Sequence, residues 1–512
     1  MRGDETEILL VNPNGRAKVY QELGATLAAK EPPIWAGLIA EYCRRRGIRA
    51  SILDANALDL GPADVAARVA EIAPLLTAVV VFGHNPNAST FVMPAASEIC
   101  SALAEADPEG RVLLLGGHVA ALPERTLREE RASFVCAGEG PVTAAELVEA
   151  LRADPHRPEL SRVRGLCWFD GGALVRNVPA PIVRDLDREM PGTAWDLLPM
   201  DRYRAHNWHC FGGRDRQPYA ALYTTLGCPF SCSFCCIHAP FKSGESAAGF
   251  DPRLNSYRRW SPDLVVRQIE RLAEEMSVSN VKFADEIFLL DKRHVEAICD
   301  GLIELDADLN IWAYARVDTC SDERLLAKMR RAGIRWLALG IESASERVRG
   351  DVDKGYRPEH LLAAVERVGA AGIHVLANYI FGLPEDDLST MEATLAFAKE
   401  LNTEFANFFS AMAYPGSRLY EEALDRGWKL PESWDGYSQH SASCLPLPTR
   451  HLTGPEVLAF RDRAFHEYFD RDAYRRMIRA KFGEETVVEI EAMAARRLAR
   501  DHAAPSAAPM RV

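Results

Sequence analysis

Four of the chain's twelve cysteines fall within nine positions, in the stretch LGCPFSCSFCCIH. The spacing is Cys228, three residues, Cys232, two residues and Cys235, with Cys236 adjacent. A structural zinc site usually takes four ligands from two separated pairs, and only His238 stands nearby to complete such a set. A redox-active disulfide motif accounts for one CxxC pair but not for a third thiol. Three thiolates on one loop suit a [4Fe-4S] cluster in which one iron has no protein ligand and can hold another molecule.

The overall composition is that of a folded protein in a reducing compartment. The 512 residues are 48% hydrophobic and 26% charged, enough for about three domains. A net charge of −13 without a sustained basic run argues against nucleic acid as a partner. The start MRGDETEILL is acidic, unlike a signal peptide, and no apolar run is long enough to span a bilayer. We therefore expect a cytoplasmic protein with a small-molecule substrate and no nucleic-acid or membrane partner.

Residues 1–152 alternate apolar runs with amphipathic segments, which predicts a doubly wound domain with five parallel strands. Ligands of such sheets bind beyond the carboxyl ends of the strands. Small and polar residues follow each predicted strand: Asn12, Pro13, Asn14, Asp54, Asn56, Gly83, His84, Asn85, Gly116, Gly117, His118, Gly138, Glu139 and Gly140. They predict a ligand crevice, although any single glycine can simply make a tight turn. No GxGxxG follows the first strand, which disfavours a dinucleotide.

A second α/β series predicts a barrel. Residues 153–215 are rich in proline and turns and predict a linker with a small hairpin. Strand and helix units then recur about every thirty residues over 216–425, as in a full or partial (β/α) barrel, whose chemistry lies at the carboxyl ends of the strands. The cysteine stretch follows the first of these strands. Residues 426–503 predict a mainly helical carboxyl-terminal domain, and residues 504–512 a disordered tail.

The cysteine stretch resembles the CxxxCxφC motif of the radical S-adenosylmethionine (radical SAM) superfamily, whose aromatic φ is matched by Phe234. In that superfamily the three cysteines, here Cys228, Cys232 and Cys235, hold a [4Fe-4S] cluster. The open iron binds S-adenosylmethionine, which is cleaved to a 5′-deoxyadenosyl radical after reduction by a carrier such as flavodoxin or ferredoxin. The resemblance implies a partial, TIM-type (β/α)6 barrel.

The same resemblance gives the polar strand ends of the barrel candidate roles. Those implied to contact S-adenosylmethionine are Phe234, Asp285, Glu286, Arg316, Glu342 and Ser343. The stretch FADEIF lacks the glycines of the superfamily's GGE motif. Each charged member of the set could instead form a structural salt bridge inside the barrel mouth.

The first domain resembles the flavodoxin-like or Rossmann-like domain of cobalamin-binding radical SAM proteins, on the stretches LLLGGHVAALPE and CAGEGPVTAAEL. The resemblance covers about residues 6–425 and implies a cobalamin site at Asn12, Pro13, Asn14, Gly83, His84, Gly116, Gly117, His118 and Glu139. A DxHxxG motif, which would supply a histidine to cobalt, is absent. This points to cobalamin bound without that histidine; the alternative is a domain that has lost the cofactor.

The resemblance implies a cobalamin-dependent radical methyltransferase that acts on an unactivated carbon of a small polar metabolite through the 5′-deoxyadenosyl radical and methylcobalamin. A radical cyclisation or rearrangement without methyl transfer, and a non-catalytic iron-sulfur or cobalamin sensor, are the alternatives. The substrate side chains predicted here are Asn378, Tyr414, Arg418, Tyr437 and His440. The aromatic segment that follows the barrel is either a substrate lid or a packing surface for the last helices. No catalytic acid or base is assigned.

Overall fold

The computed structural model describes residues 6–356 and 358–502, which form two α/β units joined by an extended connector. The predicted disordered tail, residues 504–512, lies outside the described residues. Within the described part of the chain, every helix is too short or too polar to cross a lipid bilayer.

The first unit is built on a sheet whose strand order is typical of flavodoxin-like domains. Its strands are β1 Ile8–Asn12, β2 Ala50–Asp54, β3 Leu76–Val80, β4 Val112–Leu115, β5 Phe134–Cys136, β6 Leu166–Asp170 and β7 Ala173–Arg176. The order is β2-β1-β3-β4-β5-β6-β7, and the first five are parallel. The predicted doubly wound sheet is therefore confirmed. The hairpin β6–β7 adds two antiparallel strands to the β5 edge of the sheet, because the backbone groups on that edge of β5 are free to hydrogen-bond to β6.

Helices cover both faces of this sheet, so β3 and β4 are buried along their whole length. The helices are α1 Arg16–Tyr20, α2 Leu23–Thr26, α3 Ile34–Arg44, α4 Pro62–Ile72, α5 Ala88–Phe91, α6 Met93–Ala106, α7 Gly117–Ala121, α8 Pro123–Glu129 and α9 Pro141–Ala153. The turn from β4 into α7 needs glycine at position 116. Its φ is +154°, and a Cβ there would lie 2.1 Å from the carbonyl oxygen of Val81.

The second unit is the predicted partial barrel of six parallel strands. After α10 (Leu186–Glu189) in the connector come β8 Tyr219–Leu222, β9 Thr225–Leu226, β10 Arg258–Arg259, β11 Asn280–Phe283, β12 Asn310–Ala315, β13 Ile334–Glu342, β14 His374–Phe381 and β15 Phe405–Ser410. The main sheet has the order β8-β11-β12-β13-β14-β15 with every pair parallel, while β9 and β10 form a separate antiparallel pair. The fold class expected from the sequence is confirmed.

Eleven helices accompany these strands in the described part of the chain. They are α11 Ala239–Glu245, α12 Pro262–Met276, α13 Lys292–Leu305, α14 Glu323–Arg331, α15 Glu346–Asp351, α16 Pro358–Ala370, α17 Leu388–Leu401, α18 Arg418–Asp425, α19 Gly454–Phe469, α20 Asp472–Phe482 and α21 Glu484–Ala494. Most of them turn one apolar face toward the core. In α12 that face consists of Val265, Ile269 and Leu272. Helix α19 packs on β15, where the Tyr468 hydroxyl donates to the Thr403 carbonyl at 2.8 Å.

The connector and the chain beyond the barrel tie the two units together. The Tyr203 hydroxyl donates to Asp54 at 2.8 Å, and the Trp260 indole donates to the Met190 carbonyl at 2.7 Å. Beyond the barrel, the Ser438 hydroxyl donates to the Val19 carbonyl at 2.9 Å. These contacts hold the carboxyl edge of the first sheet against the barrel, which is where both predicted cofactor sites lie.

Candidate cofactor and substrate site

The cysteine loop leaves β9 through Gly227, whose φ is +89° and where a Cβ would lie 2.2 Å from the Ser256 carbonyl oxygen. Cys228 is buried, and Cys232 and Cys235 are partly exposed. All three are free thiols on one loop that lies beyond the carboxyl ends of β8 and β9. The loop therefore presents its thiols at the face of the barrel predicted for chemistry.

The outer side of the loop is fastened to a neighbouring loop of the barrel. Arg418 donates to the Ser231 carbonyl at 3.0 Å and also pairs with Asp353. The Cys232 sulfur lies 3.9 Å from the Asp353 carbonyl oxygen. The predicted substrate residue Arg418 thus lies at the surface, where its guanidinium group holds the cysteine loop in place by bonding both Ser231 and Asp353.

Cationic side chains stand beside Cys232. Burial raises the pKa of its thiol, while Lys354 and Arg316 act in the opposite direction and favour the thiolate. Lys354 is itself buried and paired with Glu342, at the end of β13, where Glu342 has a φ of +62° that a glutamate rarely adopts. Arg316 stacks on the Phe230 ring, 4.0 Å away, and bonds Asp318 through two nitrogens.

Two more of the residues predicted to contact S-adenosylmethionine, besides Arg316 and Glu342, are engaged with protein partners. Asp285 accepts hydrogen bonds from the Thr224 amide at 2.6 Å, the Thr225 amide at 3.2 Å and the Thr224 hydroxyl. Ser343 is fully buried, with its hydroxyl 3.1 Å from that of Thr394. Both side chains therefore brace strand ends, since their polar atoms already have protein partners.

Glu286, the neighbour of Asp285, is placed differently. Burial raises its pKa to about 8, and within the described residues its carboxylate has no hydrogen-bond partner. It lines a small cavity of about 30 Å³, the groove cavity, with Asn85, Ser89, Gly117, Cys236 and Pro240 among its walls. This cavity lies between the first sheet and the cysteine loop, so Glu286 faces the space where two cofactors would meet.

Cys236, the fourth cysteine of the loop, contacts the first unit. Its sulfur lies 3.3 Å from the Asn87 side-chain oxygen of the first unit. Phe234 packs instead into two small apolar clusters, beside Leu419 and Val348. The adjacent thiols therefore differ in environment: Cys236 is buried against the first unit, while Cys235 is partly exposed.

The predicted cobalamin residues divide into two groups. Asn12, Pro13, Gly83 and His84 line a cavity of about 80 Å³, the edge cavity, and Gly117 lines the groove cavity. The remaining members, Asn14, Gly116, His118 and Glu139, line none of the cavities described here.

Physical reasons for this division are visible at His118 and Glu139. His118 is 2% exposed beneath the Trp434 ring, 4.4 Å away, and its Nδ1 lies 3.3 Å from the Thr90 hydroxyl. Glu139 forms a buried ion pair with Arg258 at 2.7 Å and accepts from the Val183 amide. Both side chains hold neighbouring segments in place.

The largest of the three cavities described here, about 370 Å³, lies between the first unit, the barrel and the last helices, and is named the central cavity. Residues that line it include Tyr20, Glu31, His84, His206, Trp208, Lys282, Trp312, Tyr314, Phe405, Asn407, Phe409, Tyr414, His440, Arg461 and Arg497. It shares Asn85 with the groove cavity, and Tyr20 and His84 with the edge cavity. The three cavities therefore adjoin one another near the carboxyl edge of the first sheet, and the volume of the central cavity suits a small ligand.

A buried ion pair that sequence analysis missed spans the central cavity. Lys282 on β11 and Glu31 of the first unit are 2.9 Å apart, with 1% and 6% of their side chains exposed. Lys282 also donates to the His84 carbonyl at 2.9 Å, and His206 lies 3.7 Å from Glu31. Burial alone would raise the pKa of Glu31, but Lys282 and His206 hold it well below its usual range.

Two of the other predicted substrate residues line the central cavity, and two lie behind residues that line it. Tyr414 and His440 line it. Asn378 reaches it through Asn407, whose amide donates to Asn378 at 3.0 Å. Tyr437 is buried behind it and accepts a hydrogen bond from Tyr414 with its carbonyl oxygen, at 3.1 Å.

Comparison with known proteins agrees with this arrangement. The sequence model of the Radical SAM superfamily matches residues 222–398, which include the cysteine loop. That of the B12 binding domain matches residues 21–148, in the first unit. The chain therefore joins a B12 binding domain to a radical SAM domain. Among curated proteins, this radical SAM chain is 29% identical to an uncharacterised methyltransferase of Pyrococcus horikoshii over 466 residues, covering 91% of this chain and 93% of the relative.

Further relatives of this radical SAM protein share the same order of units. An anaerobic magnesium-protoporphyrin IX monomethyl ester cyclase of Rubrivivax gelatinosus is 27% identical over 426 residues, which are 82% of this chain and 70% of the relative. The solved structure of the radical S-adenosylmethionine methyltransferase TsrM from Kitasatospora setae, with cobalamin and a [4Fe-4S] cluster bound, superposes with a TM-score of 0.66 at 17% identity. It covers 90% of this chain and 91% of that structure, which shows a shared fold.

The three thiols of the cysteine loop are the donor type that holds iron-sulfur clusters. Among the described residues, no group of three His, Cys, Asp or Glu side chains is already arranged to hold a metal ion. The basic pair Lys354 and Arg316 beside Cys232 also suits an anionic group.

Proposed function

We propose that the chain is a cobalamin-dependent radical SAM methyltransferase that acts on a small molecule in the central cavity. The observation that carries the proposal is the adjacency of the three cavities. The groove cavity touches the cysteine loop at Cys236, the edge cavity follows the ends of β1 and β3, and both share lining residues with the central cavity. A cluster, a corrinoid and a substrate bound there would be neighbours. The methyltransferase names among the relatives support the same assignment.

In this proposal Cys228, Cys232 and Cys235 hold the [4Fe-4S] cluster. Glu286 faces the S-adenosylmethionine amino group from the groove cavity, since its carboxylate is the one in FADEIF without a protein partner. When bound, the cluster with S-adenosylmethionine supplies a 5′-deoxyadenosyl radical and cobalamin supplies a transferable methyl group. In this proposal the protein positions these groups and keeps water out, which the burial of Trp35 and Phe82 around the groove supports.

For cobalamin, the proposed contacts are the strand ends that line a cavity: Asn12, Pro13, Gly83, His84 and Gly117. His84 has its Nε2 3.1 Å from the Tyr20 hydroxyl, and burial lowers its pKa to about 4. The Nε2 atom of His84 is thus already engaged with a protein partner. The proposal is therefore a corrinoid bound without a histidine ligand from this edge.

The partners follow from the same geometry. A one-electron carrier such as flavodoxin or ferredoxin would approach the cysteine loop from its outer side, where Pro229 and Ser231 are exposed. All twelve cysteines are free thiols, as expected in a reducing compartment. The reductant and the cytoplasmic location remain predictions.

The test is anaerobic reconstitution with iron, sulfide and cobalamin, followed by reduction in the presence of S-adenosylmethionine. We expect bound corrinoid in the absorption spectrum and the products 5′-deoxyadenosine and S-adenosylhomocysteine. Cys235→Ala should lose the cluster and both products, whereas the matched variant Cys299→Ala, in a buried position on α13, should keep them. Wild-type product levels in Cys235→Ala, or protein that takes up no corrinoid, would refute the proposal.

A radical cyclase is the second candidate, because relatives that carry that name match most of this chain. A cyclase would form 5′-deoxyadenosine without S-adenosylhomocysteine, and no methyl group would move from labelled S-adenosylmethionine to the product. The two candidates are therefore separated by the fate of the methyl carbon in a single assay.

A further inference from the structure

The two ends of the central cavity differ in charge. At one end, Lys282 and Glu31 neutralise each other across 2.9 Å. Burial lowers the pKa of the adjacent His84 to about 4 and also lowers that of His206, so both imidazoles are neutral at pH 7. This end of the cavity carries no net charge.

At the other end, Arg461 is a buried cation with an unused donor. It is 5% exposed and lines the cavity. Its Nε donates to the Phe408 carbonyl at 2.6 Å and its Nη1 to Asp462 at 2.9 Å. Among the described residues, its second amino group, Nη2, has no hydrogen-bond partner. An unpaired donor on a buried guanidinium is costly, so the position calls for an acceptor in the cavity.

Asp462 does not fully neutralise the positive charge of Arg461, because it also accepts hydrogen bonds from Arg500 at 2.8 and 2.9 Å. Two guanidinium groups share one carboxylate, and Asp462 and Glu31 are the only acidic residues lining this cavity in the described chain. Burial, together with Arg461 and Arg500, lowers the pKa of His440 to about 3, so that imidazole adds no charge. Arg497, exposed at the rim, bonds only carbonyl oxygens and His466.

The walls between the two ends are mostly aromatic. Trp312 and Tyr314 on β12, and Phe405 and Phe409 on β15, line the cavity, and Asn407 between them adds one amide. Tyr314, Asn407 and Phe409 are the partly exposed members of this wall. Flat aromatic faces recognise flat rings, by offset or edge-to-face contact.

We propose that the central cavity binds a small aromatic carboxylic acid, with its carboxylate on Arg461 and its ring against Tyr314 and Phe409. The free Nη2 group of Arg461, in a pair of guanidinium groups that share the one carboxylate of Asp462, matches a carboxylate ligand. A volume of about 370 Å³ lies at the low end for ligand pockets and suits one or two fused rings. Calling this molecule the substrate rests on the proposed function; its binding does not.

The test compares two probes of the same shape, 2-naphthoate and the neutral 2-naphthamide, by calorimetric titration of the reconstituted protein. We expect naphthoate to bind about tenfold or more tightly than the amide, because a charged hydrogen bond replaces a neutral one. Arg461→Gln should bring the ratio of the two dissociation constants close to one. Arg479→Gln, which alters an exposed arginine paired with Glu484, should leave the ratio unchanged.

A second variant guards against a folding defect in Arg461→Gln. Phe409→Ala removes a ring but no charge, so it should weaken both probes by a similar factor and keep their ratio. Equal binding of acid and amide by the wild type, or binding of neither, would overturn the proposal. Loss of S-adenosylmethionine cleavage with the naphthoate preference intact would instead refute the proposed function and leave this site standing.

Discussion

The Lys282–Glu31 pair offers a sharp test of how the two units are joined. Lys282→Met removes the ammonium group while keeping most of the side-chain volume. Glu31 then remains buried, with a ring nitrogen of His206 3.7 Å away as its remaining polar neighbour. The variant also loses the hydrogen bond from Lys282 to the His84 carbonyl. We expect a strongly destabilised interface between the first unit and the barrel.

The magnitude follows from the cost of keeping or neutralising the orphaned carboxylate. At 2.9 Å, Coulomb's law gives about 6 kcal/mol for the lost attraction at an effective dielectric constant of about 20. Proton uptake limits this loss, because protonating a carboxyl group of ordinary pKa at pH 7 costs only about 3.5 kcal/mol. With about 1 kcal/mol for the lost hydrogen bond, Lys282→Met should lower the free energy of unfolding by about 3 to 5 kcal/mol.

The loss should depend on pH with a defined sign. In the wild type the pKa of Glu31 is depressed, so its stabilising contribution is present above the ordinary value of 4.5. In the variant the folded state takes up one proton on the Glu31–His206 pair, which favours it at low pH. The penalty of the substitution should therefore shrink by up to about 1.4 kcal/mol for each unit of pH, going from pH 7 to pH 5.

Urea unfolding followed by tryptophan fluorescence measures this penalty, since Trp312 lies 5.0 Å from the Lys282 ammonium. The double variant Glu31→Leu/Lys282→Met should recover most of the loss, because a buried pair replaced by apolar groups is close to neutral. Lys292→Met, which removes an exposed ion pair with Asp322, is the matched control and should cost less than about 1 kcal/mol. A penalty below 1 kcal/mol in Lys282→Met, or one that does not change between pH 5 and pH 7, would refute this reasoning.

Two further substitutions probe other parts of the fold. Burial disfavours the carboxylate of Glu404, but His374 and Lys481 favour it more strongly and lower its pKa to about 2. The contribution of Glu404 to the free energy of unfolding should therefore be lost as pH falls from 4.5 toward 2. Glu404→Gln should cost about 2 kcal/mol at pH 7 and nothing at pH 2 in the same urea assay; an equal cost at both would contradict the assignment. Gly116→Ala places a Cβ 2.1 Å from the Val81 carbonyl oxygen, and we expect loss of corrinoid uptake with the cluster retained in the absorption spectrum; normal uptake would show that the turn can relax.

Much of the fold was predictable because its signals are local. Apolar runs separated by amphipathic helices indicate parallel sheets, and the spacing of Cys228, Cys232 and Cys235 specifies a loop ligand set. The hairpin at Gly171 and Gly172 is equally local. Its pairing with β5 is not, because an edge strand accepts any neighbour that the tertiary fold supplies.

The contents of the site were harder to predict, because polar residues at strand ends look alike in sequence. Asp285 and Glu286 are adjacent, yet one braces Thr224 and the other faces a cavity. Lys282 and Glu31 are separated by 251 positions, so no pattern along the chain pairs them. Arg461 lies within α19, and the sequence cannot indicate that its Nη2 group is free while its Nε and Nη1 groups are hydrogen bonded.

The central cavity also sets an order on the assembly of the protein. Its walls include Tyr20 near the amino terminus and Arg497 near the carboxyl terminus, and Gln21 is hydrogen bonded to both His440 and Ala499. During synthesis, the strands that carry the cofactor sites emerge long before the last wall. A ribosome-bound chain therefore has an open chamber, and the central cavity becomes enclosed only when the segments that carry His440 and Arg497 pack against Tyr20 and Gln21.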